Sequence, residues 1–492
     1  MPNAINDSGH VDDGDSKVIA LAEFALIIGG LAGIIVLLPH SLLWGDGGYR
    51  YVQLWQLMMS GEVSQDKYSL IGPLFSAPLW LLGKLYRTPE WWCERYNALL
   101  FAIGLLVFYR LLRDHLPRRL LRCFLLLLTF ASMFANHLLF YYGEVFSAML
   151  VGVGTVLLVV RRRGWTPIVL GVANAPATLV AMALLTARRV WDTRRLRLAW
   201  APLAAVAVIL LENWIRRGSP LNIGYGDNQG PRTVMPYSGL PGFSYPIFFG
   251  LLSLILSFGK GLLFFAPSLF LPVRRHLRAL SERTTVDLVG LYGLWIAFVA
   301  GLVLLYSHYW SWSGQIFWGP RYLLFASIPA SLALAVRLHR PDTSIRANAL
   351  TLLALGLSLW VGLNGAVFGD GPASKACWTN SPYFYDPLCF YTPEFSALWY
   401  PFVHPQRLSA EQYVYLLYGL AVALYLMTPP ALALVRQLVA RALLLARSSR
   451  HGDVAQGGAA PTPDGPHQPS SPAETAVAAG RARPRVPNSE HG

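Results

Sequence analysis

Charge is scarce in this chain. Of its 492 residues, 13% are Asp, Glu, Lys or Arg, against 54% hydrophobic. A soluble domain carries about a quarter charged residues, so the shortage argues against a water-soluble globule, and the mean hydropathy of +0.42 agrees. The strict alternation of a membrane barrel strand is missing too. That leaves helices as the elements able to satisfy their backbone groups in lipid. No cleavable signal is expected, because Met1 to Ser16 is polar and acidic, with neither a basic region nor a small-residue cleavage site before the first apolar run. No internal repeat is evident, which counts against a transporter built from matching halves.

What charge there is carries one sign. The formal net charge is +14, a value that would suggest nucleic acid if it formed a surface stripe. Here the arginines fall in short clusters between apolar runs. They are Arg110, Arg113, Arg118, Arg119 and Arg122; Arg161, Arg162 and Arg163; Arg188, Arg189, Arg194, Arg195 and Arg197; Arg274, Arg275, Arg278 and Arg283; and Arg337, Arg340 and Arg346. By the positive-inside rule these loops and both termini are expected to be cytoplasmic. Sixteen Trp and 23 Tyr suit interfacial belts.

The apolar runs predict an all-α, polytopic transmembrane bundle of about 10–12 membrane segments. Expected spans are Val18–Leu38, Tyr96–Leu112, Leu120–Leu138, Val145–Val160, Trp200–Trp214, Gly261–Val273, Leu288–Tyr306, Tyr322–Val336, Leu350–Phe368 and Tyr413–Val435. The stretch Ile71 to Leu85 holds Pro73 and Pro78 and reads as interfacial or re-entrant. Trp165 to Ala187 lies between two basic clusters and is broken by Asn174-Ala175-Pro176. It is expected to be a hairpin that enters and leaves on the cytoplasmic side. The transmembrane domain then covers residues 1–447, with outer (periplasmic) loops at 39–92, 215–260, 307–320 and 369–412. Residues 448–492, rich in Pro, Gly, Ala and Ser, are expected to be a disordered cytoplasmic tail. Cys377 and Cys389 share one outer loop and can pair as a disulfide in an oxidising compartment. Cys93 and Cys123 lie near opposite membrane faces and are expected to be free.

Candidate chemistry sits in the outer segments. In Gly45-Asp46-Gly47-Gly48-Tyr49-Arg50, Asp46 stands at a helix start within one turn of Arg50. The bland reading is a cap with a surface ion pair; the sharper one is a catalytic carboxylate facing a hydroxyl. Glu144 follows Tyr141-Tyr142-Gly143 at the outer entrance of a span, where it is either an N-terminal acid or a functional one. Lys260, between Gly259 and Gly261, either snorkels to the interface or contacts a phosphate. The segment from Ser307 to Tyr322 gathers His308, Trp310, Trp312, Gln315 and Arg321. Its tryptophans suit an interfacial belt, and the arginine fork suits a phosphate.

One cytoplasm-started span, an outer Gly-Asp, then many spans: this order resembles the GT-C superfamily of membrane glycosyltransferases. That superfamily includes protein O-mannosyltransferase-like and aminoarabinose-transferase-like enzymes. Further resemblance lies in Arg217-Gly218-Ser219-Pro220-Leu221-Asn222-Ile223-Gly224-Tyr225-Gly226, in Leu251 to Pro267, and in Trp310-Ser311-Trp312-Ser313-Gly314 with Phe317 to Leu323. It covers Val18 to about Tyr322. It implies sugar transfer from a polyprenyl-phosphate donor to a glycan, lipid or protein acceptor at the outer face of a bacterial inner membrane. The implied roles are Asp46 and Glu144 in catalysis, Lys260 and Arg321 on the donor phosphate, and Arg50, Tyr225, His308, Trp310, Trp312 and Gln315 in the acceptor and sugar pocket. The sequence departs from some members in having Gly47 where a second acid stands beside the Asp, and Ala175 where an Arg precedes Pro176. A divalent metal (Mg or Mn) on Asp46 and Glu144 is therefore an open alternative to no cofactor. A polytopic transporter or glycolipid flippase, and a non-catalytic assembly protein, are the competing readings.

Overall fold

The structure is a computed structural model that describes residues 16–226, 228–230, 232, 234–369, 377 and 386–456, with backbone alone for 386 and 446–456. The chain divides into one unit from Met1 to Gln437 and a second from Leu438 to Gly492. Among the described residues every regular element is a helix. In order these are α1 (Lys17–Val36), α2 (Asp46–Ser60), α3 (Ile71–Leu74), α4 (Ala77–Leu85), α5 (Pro89–Glu94), α6 (Tyr96–Leu112), α7 (Arg118–Phe130), α8 (Phe134–His137), α9 (Gly143–Val160), α10 (Trp165–Ala173), α11 (Leu179–Thr193) and α12 (Trp200–Arg217). Then come α13 (Ile247–Leu256), α14 (Leu262–Phe265), α15 (Arg274–Ser281), α16 (Leu288–Tyr306), α17 (Ser327–His339), α18 (Ile345–Val367), α19 (Asp386–Tyr391), α20 (Tyr400–Val403) and α21 (Ala410–Gln456).

Seven helical stretches among the described residues are long and apolar enough to cross a membrane: Lys17–Val36, Gly143–Val160, Leu196–Arg217, Leu288–Tyr306, Arg321–His339, Ile345–Val367 and Ala410–Leu445. Tyr96–Leu112 and Ile247–Leu256 are shorter apolar helices. The outermost helices expose the side chains that lipid would cover. On α1, Val18, Leu21, Ile28 and Val36 are all more than 60% exposed, whereas Arg321–His339 is the most enclosed span, 83% buried.

Three expected elements differ. The Gly261–Val273 span is not a helix of that length: α14 has four residues and a 3-10 turn follows at Pro267. Its apolar sequence cannot override Pro267, which lacks the donor and blocks the preceding turn. The apolar helix of this region is α13, placed earlier, in what was expected to be outer loop. The Leu120–Leu138 span stops at Phe130 and resumes only as the short α8. Helix α21 continues past Ser448 to Gln456; the rest of the expected tail lies outside the described residues.

The hairpin expected at 165–187 is present. Gly164 (φ 140°) lies against Gly154, and an added Cβ there would sit 2.1 Å from the Gly154 carbonyl oxygen. Helix α10 then runs along α9 until Asn174 reaches Gly143 and Ser147. Helix α11 returns along α16, with Gly301 against Ala181, and Arg189 donates to the Leu158 carbonyl at 3.0 Å. Both hairpin ends thus lie at the arginine-rich end of the bundle, and its apex lies at the other.

Two side-chain locks hold helices together at the arginine-rich end. Arg122 of α7 meets Glu23 of α1 at 2.5 Å, with both side chains no more than 5% exposed, and the Tyr425 hydroxyl of α21 donates to the same carboxylate at 2.9 Å. Arg337 is fully buried and bonds Thr351, Asp342 and the Ala347 carbonyl. Cys377 and Cys389 form a disulfide with Cα atoms 6.3 Å apart, as their shared loop suggested; Cys93 and Cys123 are unbridged.

Candidate functional site

At the end of the bundle opposite the arginine clusters, helix ends gather around one guanidinium. Helix α2 begins after Gly45, which has φ 55°. A Cβ on Gly45 would lie 2.4 Å from the Phe317 ring, so glycine lets the 307–320 segment approach. That approach brings Arg321 to Asp46: Nη2 donates to Oδ2 at 2.6 Å. The other carboxylate oxygen, Oδ1, accepts from the Tyr68 hydroxyl at 2.6 Å. From α9, Glu144 Oε1 stands 3.8 Å from Arg321 Nε. The guanidinium is 4.2 Å from the Phe317 ring centre and 4.9 Å from that of Tyr322, and Tyr322 stacks on Tyr306 at 4.4 Å.

Arg321 is 3% exposed, yet two of its nitrogens are not spent. Nη1 and Nε have no hydrogen-bond partner among the described residues. A buried charged donor left unmatched is costly, and an oxygen-rich anion is the chemistry that would match it. Asp46 is poised differently. Burial pushes its carboxyl up, but Arg321, the Tyr68 hydrogen bond and Arg50 together outweigh that and hold it below the usual carboxylate range. It is therefore ionised at neutral pH and can accept a proton or hydrogen bond. Tyr68 moves the opposite way, raised by burial and by the adjacent Asp46 charge, and stays a donor. Burial pushes the Tyr225 phenol up to about 12, with Arg50 opposing.

Asn174, at the hairpin apex and 1% exposed, ties these parts together. Its amide donates to the Gly143 carbonyl at 2.9 Å and to Ser147 Oγ at 3.0 Å. Its Oδ1 accepts from Gly72 N at 3.0 Å and Arg50 Nη1 at 3.3 Å. The residue that breaks the hairpin thus joins the helix of Asp46 to the helix of Glu144.

Of the residues singled out from sequence, Asp46, Glu144, Arg321, Arg50 and Tyr225 converge. Lys260 is buried behind the 307–320 segment, where its ammonium donates to the Phe317 carbonyl and, at 3.1 Å, to that of Gly319. It braces the backbone that leads to Arg321. Trp310 donates to the Asn228 carbonyl at 3.0 Å, Trp312 packs on Tyr245 and Phe390, and His308 bonds the Tyr245 carbonyl at 2.6 Å. These three build the loop wall around the cluster. Gln315 adopts φ 62° beside Gly314 at φ 70°, forming the turn that re-aims the chain toward Arg321.

Between Asp46 and Glu144, the residues considered for a metal, stands the Arg321 guanidinium. Among the described residues no group of three or more His, Cys, Asp or Glu could hold a metal ion.

Sequence reasoning missed Tyr68, Lys67 and Arg216. Lys67 lies over the rings of Tyr68 and Tyr225 at 5.4 and 5.6 Å and has no ion pair among the described residues. Arg216 carried a usable signal, since Arg216-Arg217 is a basic pair on the side where the other connections are poor in them.

No family model and no curated protein matches this sequence. Among solved structures, the chain is similar to the crystal structure of ArnT from Cupriavidus metallidurans bound to undecaprenyl phosphate. The identity is 14% and the TM-score 0.47, over 85% of this chain and 78% of that one. It is also similar to the same protein in the apo state, at 15% identity and a TM-score of 0.45, over 84% and 79%.

Proposed function

We propose that this chain is a GT-C-type membrane glycosyltransferase. It moves a hexosyl or pentosyl group from a polyprenyl-phosphate donor to an acceptor hydroxyl at the outer face of a bacterial inner membrane. The observation that carries the reading is Arg321, buried among aromatic rings with its Nη1 free of any hydrogen-bond partner among the described residues and an ionised carboxylate 2.6 Å from its Nη2. Such a pair serves both halves of a displacement at a sugar carbon. The Nη1 end of the guanidinium takes the donor phosphate and meets the charge that develops on it. Asp46 accepts a hydrogen bond from the acceptor hydroxyl and orients it.

In the reaction, the acceptor oxygen forms the new bond to the anomeric carbon as the bond from that carbon to the phosphate oxygen breaks. The electron pair leaves with the polyprenyl phosphate, and the hydroxyl proton passes to Asp46. Glu144, across Arg321, balances the guanidinium when no phosphate is bound. The positive charge is supplied by Arg321 in this account, so a divalent cation is not required between the two carboxylates. Purified protein incubated with radiolabelled polyprenyl-phosphate sugars tests the reading. Loss of label from the lipid in the presence of acceptor supports it, whereas intact donor carried across a vesicle membrane supports a flippase instead.

A further inference from the structure

We propose that Arg216 is a positioning residue that sets the Tyr68 hydroxyl on Asp46 by gripping the backbone of the loop between α2 and α3. The inference deepens the glycosyl-transfer reading and rests on it for its meaning in catalysis.

The geometry is unusually complete. Arginine has five N–H donors, and every one on Arg216 is used. Nε donates to the Ser64 carbonyl at 2.9 Å, Nη1 to the Tyr68 carbonyl at 2.6 Å and Glu212 at 3.0 Å, and Nη2 to the Asp66 carbonyl at 2.9 Å and Gln53 Oε1 at 3.0 Å. Arg217 adds the Gln65 carbonyl at 3.2 Å and a further contact to that of Asp66. Glu212, one turn earlier on α12, accepts from Ser69 Oγ at 2.8 Å and from Leu70 N at 2.7 Å. The end of α12 therefore holds residues 64–70 almost continuously. Arg216 is 4% exposed, and no regular secondary structure fixes this loop. Tyr68 is where the grip meets the site: its carbonyl is bound to Arg216 and its hydroxyl to Asp46. Lysine offers three donors on a flexible stem and cannot reproduce a planar grip on five acceptors.

The groups facing Asp46 are Tyr68 from the loop, Arg50 from α2 itself, Arg321 and Tyr322 from the segment before α17, Tyr225 from the segment after α12, and Glu144 from α9 across Arg321. Removing the Tyr68 hydrogen bond leaves the others in place and raises the Asp46 titration midpoint. If Arg216 acts through Tyr68, loosening it raises that midpoint too.

The test is a 13C-carboxylate NMR titration of the full-length protein in detergent, with the Asp46 signal assigned by its loss in Asp46→Asn. Tyr68→Phe is expected to raise the midpoint by about one to two pH units. Arg216→Lys is expected to raise it in the same direction, and the double variant no further than Tyr68→Phe alone. Glu212→Gln is a milder second probe of the same grip, should Arg216→Lys fold poorly. An unchanged midpoint in the folded Arg216→Lys and Glu212→Gln proteins, or an additive double variant, overturns the proposal. Lowered thermal stability without a shift is what a merely structural arginine would give. The readout needs no turnover, so it fails separately from the glycosyltransferase assignment, which falls if the wild type leaves every labelled donor intact.

Discussion

Arg321 and Asp46 are 275 residues apart in sequence, yet their side chains meet at 2.6 Å. The contact closes the bundle at its site end, because Asp46 opens α2 and Arg321 opens the segment into α17. It also leaves the guanidinium half-used, and that unspent half is what the functional reading turns on.

Arg321→Lys is expected to weaken donor binding by at least about tenfold, since a compact ammonium cannot hold Asp46 with one nitrogen and offer a phosphate another on a rigid plane. Binding of a fluorescent or radiolabelled polyprenyl phosphate to detergent-purified protein measures it. Wild-type affinity in the variant would remove Arg321 from the donor site.

Lys260 supports the same residue from behind. Lys260→Met keeps most of the stem but leaves the Phe317 and Gly319 carbonyls without their donor. The expected result is a loss of both thermal stability and donor affinity, with the stability loss about 1–3 kcal/mol. A loss of donor affinity with no change in melting temperature would mean instead that the ammonium touches the phosphate directly.

The Glu23–Arg122 pair offers a control far from the site. Glu23→Ala takes the carboxylate away from a buried arginine and should cost about 3–5 kcal/mol of stability. Donor affinity of the protein that remains folded should not change. A large change in donor affinity would show that the arginine-rich end communicates with the site.

Orientation is tested by labelling single cysteines in intact cells. A cysteine at the exposed His404 is expected to react with a membrane-impermeant reagent from outside, and one at the exposed Arg195 only after permeabilisation. The reverse pattern would place the site on the cytoplasmic face.

Charge in an apolar setting was the legible part of the sequence. Asp46, Glu144 and Arg321 each stand out because few charges are present and each flanks an apolar run. The hairpin was legible because two basic clusters on one side demanded a return. Tyr68 and Asn174 were not legible as site residues, since their roles exist only once α2, α9 and α12 converge; nothing local marks a tyrosine as the partner of a carboxylate 22 positions away. Lys260 was conspicuous by its apolar flanks, but hydropathy cannot say which oxygens would receive its protons, and these proved to be backbone carbonyls. The Gly261–Val273 span was overdrawn because a hydropathy window averages across Pro267.

The most direct measurement compares wild type with Asp46→Asn in transfer of radiolabelled sugar from polyprenyl phosphate, with donor binding measured in parallel. Asn keeps the size and, with its one oxygen toward Arg321, an acceptor there; its amide nitrogen then faces the Tyr68 hydroxyl, which can turn to accept, and the side chain cannot take a proton. The account predicts turnover reduced about 100- to 10,000-fold while the variant stays folded and still binds donor. Full turnover by Asp46→Asn would contradict it and leave Asp46 a helix-end residue paired to Arg321.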